Sequence, residues 1–447
     1  MNKEKSKNYV FDNDILSYKS YIHGFSDKLF EEFNKRSEEK KLGSKLQDLM
    51  NLKVVNHTEN QAASHPQYRK KGVDRYKLSP SSLNRLNAKL TSKSLRKANV
   101  IVLAIGGSFE GPKLLHESIK KNHYRSLDLE INYQFITGSD SNEFISKTQS
   151  LNPKDTIFIV ASKSFTTDET IESLNQALEW SVDASFFIAI TSNISEPLKY
   201  GIGVEEKDDI IYLDSEVGGR YSIWSPIGEF ICDHNAFDSF LNGGNRADED
   251  LQSFTNNEYL NFVKYLAFSD IWNNNSKGKN TRAVLSYIWN LRSFPDYVQQ
   301  LEMESLGKPA DPTSQFKHTG QIIFGGYGPT AQHSYFQLLH QGTQEICADI
   351  IASKEDSKNL AFAQAITQSK LLSDGADNLN EEERINGNIP VNLFLLKTVD
   401  PFSIGYLIAT WEHRTFITAT MLGINPFDQF GVNAGKIYTK KYLADKK

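Results

Sequence analysis

Val100-Ile101-Val102-Leu103-Ala104-Ile105-Gly106-Gly107-Ser108-Phe109-Glu110-Gly111-Pro112 carries an unbroken apolar run into a Gly-Gly-Ser turn, after which a helical pattern begins. Such a run reads as a strand buried on both faces, and the glycine turn feeds a helix that packs back onto the sheet. The unit recurs: 156–161 runs into Ser162-Lys163-Ser164-Phe165-Thr166-Thr167, and further short apolar runs fall at 186–190 and 210–213. Alternation of this kind predicts a parallel sheet with helices on both faces. Beyond a break at Asn242, Gly243 and Gly244, a second unit is expected, mainly helical to about Leu306, with strands at 321–324 and 391–396. The expected fold is therefore α/β, two doubly wound domains with mostly parallel sheets. The expected limits are 1–94 for a largely helical N-terminal segment packing with the larger domain, 95–235 for the smaller domain carrying both turns, and 236–447 for the larger. Leu29, Phe30 and Phe33 set the helical spacing in the first segment. Asp400 and Pro401 supply an N-cap and a first-turn proline, and Gly423 a stop, which predicts one long helix over 402–422. The polar, acidic stretch 373–388 reads as a surface loop and 436–447 as a basic helix or tail.

Composition limits the function classes. A chain of 447 residues exceeds the roughly 250 to 300 residues at which single cores split, and 39% apolar residues suffice for two. With 50 basic against 55 acidic residues and no long block of like charge, nucleic acid is excluded as a partner. Met1 to Val10 is Lys-rich without the apolar stretch of a secretory signal, and no run is long enough for a bilayer. A cytoplasmic protein without a membrane partner is expected. Two cysteines, Cys232 and Cys347, are too few and too far apart for a disulfide framework or a zinc cluster, and they read as buried thiols of a reducing compartment.

Both polar turns have the chemistry of an anion site. In the first, Gly106 and Gly107 let backbone N–H groups approach a ligand, beside Ser108 and a helix N-terminus that favours negative charge. In the second, four hydroxyls and the Lys163 ammonium lie within six residues at the carboxyl end of a strand. Each taken alone equally describes an ordinary helix cap. Neither matches the nucleotide or dinucleotide fingerprints, so the pair points to a small monophosphate.

Further motifs follow in order: Asn56-His57-Thr58-Glu59 with His65 and Arg69; Val217-Gly218-Gly219-Arg220-Tyr221-Ser222; Gln300-Leu301-Glu302-Met303-Glu304-Ser305; Gln332-His333-Ser334; and Phe427-Asp428-Gln429 ending in Gly435-Lys436. Together with the two turns, this series closely resembles the phosphoglucose isomerases, over about 56–436. The resemblance implies two sugar-isomerase (SIS-type, flavodoxin-like) domains and interconversion of glucose 6-phosphate and fructose 6-phosphate through an enediol. It implies that Ser108, Ser162, Ser164 and Thr167 bind the phosphate, with Gly107, Lys163 and Gln429 beside it. Glu304 is then the base between C1 and C2, Arg220 steadies the enediolate, Gln300 lines the site, and His333 with Lys436 opens the sugar ring. It further implies no metal or organic cofactor, and a homodimer in which the ring-opening histidine comes from the neighbouring subunit. The chain departs from the usual pattern at Phe109-Glu110, at Gln61 in place of an arginine, at Leu306, and over 325–331.

These roles fit the chemistry. Removing a proton beside a carbonyl needs a base on one side and a positive group for the forming oxyanion on the other. A hemiacetal opens when one proton is removed and another delivered, which suits histidine. On their own these residues have plainer readings: Glu304 as an exposed helix glutamate, Arg220 as a paired arginine of a glycine turn, Lys436 as a solvated charge. His333 and His340 are seven apart and would share a face on one helix, but no second ligand pair accompanies them, and His340 reads as a packed histidine. Two other functions share the turns: a dual-specificity phosphoglucose/phosphomannose isomerase, in which a threonine replaces Gln429, and a non-catalytic sugar-phosphate-binding SIS regulator. The latter has no need of Glu304, Arg220, His333 and Lys436.

Overall fold

The computed structural model describes residues 9–95, 97–119, 130–253, 257–355, 357–376 and 379–445. The N-terminal segment, expected as largely helical, opens with two strands, β1 (Val10–Asp12) and β2 (Leu16–Tyr21). Asn13 makes their turn, its Oδ1 accepting from the backbone N–H groups of Ile15 and Leu16. Met1 to Asn8 of the Lys-rich start lie outside the described residues.

The remaining strands are β3 (Lys97–Leu103), β4 (Glu130–Ile136), β5 (Thr156–Ala161), β6 (Phe187–Thr191), β7 (Ile210–Tyr212), β8 (Thr281–Ser286), β9 (Ile322–Tyr327), β10 (Ile346–Ser353) and β11 (Val391–Leu396). The helices used below are α1 (Gly107–Ser118), α2 (Asp168–Trp180), α3 (His234–Leu251), α4 (Phe294–Leu306), α5 (Leu360–Asp374), α6 (Pro401–Leu422) and α7 (Asn433–Ala444). One sheet runs β4-β3-β5-β6-β7, parallel throughout. The other runs β1-β2-β11-β10-β8-β9, parallel except where β2 joins β1 and β11. The mixed α/β class with mostly parallel sheets is as expected.

Besides β1 and β2, three strands were absent from the sequence reading, two of them for a shared reason. Buried charges interrupt their apolar runs: Arg282 in β8 and Asp349 in β10, both fully buried. Arg282 bonds Asp270 at 2.7 Å and faces Asp349 at 3.3 Å, while Arg414 of α6 holds Asp349 at 2.8 Å and Asp270 at 2.6 Å. A charge is stable there only because each finds several partners. The third strand, β4, alternates apolar and polar residues.

The break expected at Asn242, Gly243 and Gly244 lies inside α3. These glycines are a packing notch: a Cβ on Gly243 would sit 1.8 Å from the Phe402 carbonyl oxygen, and one on Gly244 2.7 Å from Arg69 and Trp224 side chains. Here α3 crosses α6, the long helix foreseen from Asp400 and Gly423; Asp400 Oδ1 accepts from Ser403 N at 2.8 Å, and Gly423 closes the helix at φ 75°. Apart from Phe402, every residue of α6 is buried, so it is a central helix and not an amphipathic surface one. In the loop over 373–388, Ala376 and Ile385 bridge, and residues 377–378 lie outside the described residues. The basic C-terminus is helical as α7, its last two lysines again outside the described residues. Among the described residues no helix is long and apolar enough to cross a membrane.

Candidate active site

In the all-parallel sheet, β3 and β5 are neighbours at the point where the strand order reverses, and both end in the polar turns. That is where open α/β sheets bind ligands. The first turn is drawn tight by contact: a Cβ on Gly107 would lie 2.0 Å from the Gly219 carbonyl oxygen, and Ser222 Oγ donates to Gly107 O at 3.2 Å. The Gly-Gly-Arg block is thereby pressed onto the Gly-Gly-Ser turn. The second turn pivots on Phe165, a buried residue at φ 54°. A left-handed conformation costs a non-glycine residue about 1 kcal/mol or more, offset by burying the ring and by its N–H donating to Ser162 Oγ at 3.2 Å. The hydroxyls of Ser162 and Thr167 lie 3.4 Å apart, and Ser164 Oγ accepts from Thr166 Oγ1 at 2.9 Å. The result is a cup of hydroxyls at the start of α2. Burial pulls the Lys163 ammonium below its ordinary pKa, against the opposing pull of Glu59, Asp214 and Glu216.

The other wall is built by α4. Gln300 and Glu304 lie one turn apart, and Gln300 Nε2 donates to Glu304 Oε2 at 3.2 Å. Arg220 Nη1 meets the same oxygen at 2.9 Å. The guanidinium is nearly fully buried and held on every side: Nε donates to Ser305 Oγ at 2.9 Å, Nη2 to the carbonyls of Pro426 and Asp428 at 3.2 and 2.8 Å, and Nη1 to Gln429 Oε1 at 3.2 Å. Lys436 stands on α7, which Lys440 ties to Asp168 at the start of α2 at 3.1 Å.

One cavity of about 690 Å³ is lined by Gly107, Ser108, Ser162, Lys163, Ser164, Thr167, Arg220, Gln300, Glu304, Gln429 and Lys436. His333 alone of the expected residues is not in its lining. It is exposed, between the short helix Gly328–Ala331 and the helix Phe336–Gln341, so it does not share a helix with His340. His340 is half-buried, its Nε2 2.9 Å from Gln368 Oε1. Among the described residues no group of three or more His, Cys, Asp or Glu side chains is arranged to hold a metal ion.

Three positions with no role read from sequence shape this wall. Ser305, fully buried, receives Arg220 Nε and lies 3.3 Å from the Tyr221 hydroxyl. Asp428 Oδ2 accepts from Thr58 Oγ1 at 2.7 Å and Asn425 Nδ2 at 3.0 Å. Lys308 reaches Asp428 at 3.5 Å and donates to Glu304 O at 2.6 Å; burial, with Arg220 nearby, lowers its pKa. Ser305 and Asp428 stood within quoted motifs, but their partners come from distant segments, so sequence alone could not assign the contacts.

Two doubly wound sheets, with a hydroxyl cup facing a carboxylate–arginine pair across one cavity, define a sugar-phosphate isomerase. The family model for phosphoglucose isomerase matches residues 21–447, and the chain belongs to that family. It is 31% identical to the glucose-6-phosphate isomerase of Acinetobacter baumannii over 97% of this chain and 86% of that protein. With the glucose-6-phosphate isomerase of Wigglesworthia glossinidia brevipalpis it shares 34% identity over 78% of this chain and 68% of the relative. Its fold matches the crystal structure of a glucose-6-phosphate isomerase from Chlamydia trachomatis with a TM-score of 0.84, covering 98% of this chain and 90% of the other at 24% identity.

Proposed function

We propose that the protein interconverts glucose 6-phosphate and fructose 6-phosphate, and that the cavity's residues carry the roles the resemblance implies. The observation that carries this is the Glu304–Arg220 pair, 2.9 Å apart, in the same cavity as the Ser162–Thr167 cup. In this reading the phosphate sits against Ser108, Ser162, Ser164 and Thr167, with Gly107, Lys163 and Gln429 beside it. Glu304 takes the proton from one of C1 and C2 and returns it to the other. Arg220, already fixed by Ser305 and two carbonyls, steadies the charge on the enediolate oxygen without reorganising. Gln300 orients Glu304, and Lys436 works with a histidine in ring opening.

That histidine is His333 of the partner subunit in the homodimer we propose. The exclusion of His333 from its own chain's cavity and the membership of the family support that reading. Cytoplasmic location is proposed with it, supported by two buried free cysteines. The expected domain limits, 95–235 and 236–447 with 1–94 on the larger, remain part of the proposal. Their support is that β3–β7 come from 97–212 and β8–β11 from 281–396, with β1 and β2 joining the latter sheet.

The test is Glu304→Gln, which keeps the shape and removes the carboxylate. kcat is expected to fall about a hundredfold or more in a folded protein, and fructose 6-phosphate turned over by the wild type in heavy water should yield glucose 6-phosphate labelled at C2. A loss below tenfold reassigns the base, and an unlabelled C2 replaces the enediol with a hydride shift.

A further inference from the structure

The larger sheet has a reversal point of its own. From β8 the chain passes through α4 to β9 on one side, whereas β10, next to β8 on the other side, passes through α5 to β11. Right-handed crossovers in opposite directions put α4 and α5 on opposite faces, and a crevice opens between the carboxyl ends of β8 and β10. In this structure that crevice is a cavity of about 240 Å³, and it shares no lining residue with the cavity described above. All four parallel strands build it. Tyr287, Trp289 and Asn290 follow β8, Tyr327 ends β9, Ser353 and Glu355 lie at the end of β10, and Val399 follows β11; the start of α5 adds Asn359 and Phe362.

Its chemistry differs from that of the first crevice. Among the described residues no lysine or arginine lines it, so none of them answers a phosphate there. Four of its walls are aromatic rings instead. Trp289 is 59% exposed yet held in place, edge-on to Tyr327 at 5.1 Å, with the Arg292 guanidinium 4.5 Å from its ring. Three of the polar groups each accept from a backbone N–H. Ser353 Oγ accepts from Glu355 N at 3.1 Å, Glu355 Oε2 from Val399 N at 3.2 Å, and Asn359 Oδ1 from Phe362 N at 2.8 Å. Among the described residues, Glu355 Oε1, Asn359 Nδ2 and the Asn290 amide have no hydrogen-bond partner and are left to meet a ligand. Rigid aromatic walls with a few oriented polar groups are the make-up of a small-molecule site. Rings that stack on apolar C–H faces, beside a carboxylate and two amides that take hydroxyls, suit an uncharged polyhydroxylated ring. The volume, about a third of the first cavity's, suits one ring without a phosphate.

We propose that this second crevice binds an unphosphorylated monosaccharide. The experiment is saturation-transfer NMR on the intact protein with D-glucose, D-mannose and D-fructose as probes, repeated with saturating fructose 6-phosphate and in Trp289→Ala and Asn290→Ala. At least one sugar should bind saturably with a Kd on the order of millimolar, as a ligand of so few atoms allows. Fructose 6-phosphate should not displace it, and each substitution should weaken it about tenfold or more, as loss of a stacking or oriented polar contact does, with isomerase turnover unchanged. Absence of saturable binding by all three sugars overturns the proposal. So does binding that fructose 6-phosphate abolishes and both substitutions spare, which locates the sugar in the first cavity. Binding of choline or adenosine where the sugars fail also overturns it, by assigning the aromatic walls to another ligand class.

Discussion

Arg220 shows how a single side chain can be fixed before any substrate arrives. Three acceptors that are not carboxylates, Ser305 Oγ and the carbonyls of Pro426 and Asp428, set the plane of its guanidinium, leaving Nη1 directed at Glu304 and Gln429. Ser305 is thus a positioning residue for the proposed reaction, whereas Thr167 belongs to the proposed phosphate cup. The two should separate in kinetics. Ser305→Ala leaves Arg220 Nε without its acceptor and should lower kcat about ten- to a hundredfold with KM little changed, the range expected for a hydrogen bond to a charged group. Thr167→Ala should instead raise KM for fructose 6-phosphate by about the same factor with kcat little changed. Steady-state kinetics on both variants, with circular dichroism to verify folding, checks the pair; a KM effect in Ser305→Ala would mean that Arg220 acts on ground-state binding.

At the scale of elements, the site depends on helices that carry no chemistry. α6 places Glu412 and His413 among buried partners: Glu412 accepts from Arg69 at 2.5 Å and from Trp224 Nε1 at 2.7 Å, and His413 Nε2 lies 2.8 Å from Asp248 Oδ1. Asp248 belongs to α3, and Arg69, from the N-terminal block, binds it at 2.8 Å. Against the cost of burial, Arg69 and then His413 hold the Asp248 carboxyl below its ordinary pKa. His65, from the same block, stacks on Tyr221 at 4.4 Å, next to Arg220. The α3–α6 crossing that supports this assembly requires Gly243. Gly243→Ala places a methyl 1.8 Å from the Phe402 carbonyl oxygen, and forcing an extra carbon into a packed core costs about 1–3 kcal/mol. Urea denaturation should show an unfolding free energy lower by that amount, read as a lower midpoint at unchanged slope; an unchanged midpoint would mean that the two helices slide apart without strain.

At the scale of the molecule, the cavity of a single chain lacks His333, while α7 presents Ile437 and Tyr438 at 66% and 69% exposure. In the homodimer proposed above, Glu304 of one subunit works with the partner's His333. Homodimers of Glu304→Gln and of His333→Ala should then each be nearly inactive. Hybrids made by refolding the two variants together contain one site with both groups intact and one with neither. A purified hybrid should approach half the wild-type turnover if the sites act independently. No recovery in a verified hybrid would mean that both residues serve the same subunit's site, after a movement of the His333 segment.

Much of this was legible from the chain alone. Apolar runs such as 157–161 in β5 and 393–396 in β11, the caps of α6, and the glycine and hydroxyl turns are set by local rules: a strand buried on both faces is mostly apolar, and a helix end must satisfy its own backbone groups. The residues of the cavity were legible because reactive groups are carried by short motifs and their order. What the sequence could not determine was anything whose stability lies in a partner far along the chain. Arg282 and Asp349 look wrong for buried strands until Asp270 and Arg414 surround them. Gly243 and Gly244 look like a linker until Phe402 and Trp224 press on them. The tertiary structure alone decided these, because burying a charge or a bare backbone is favourable only when a matching surface is brought against it.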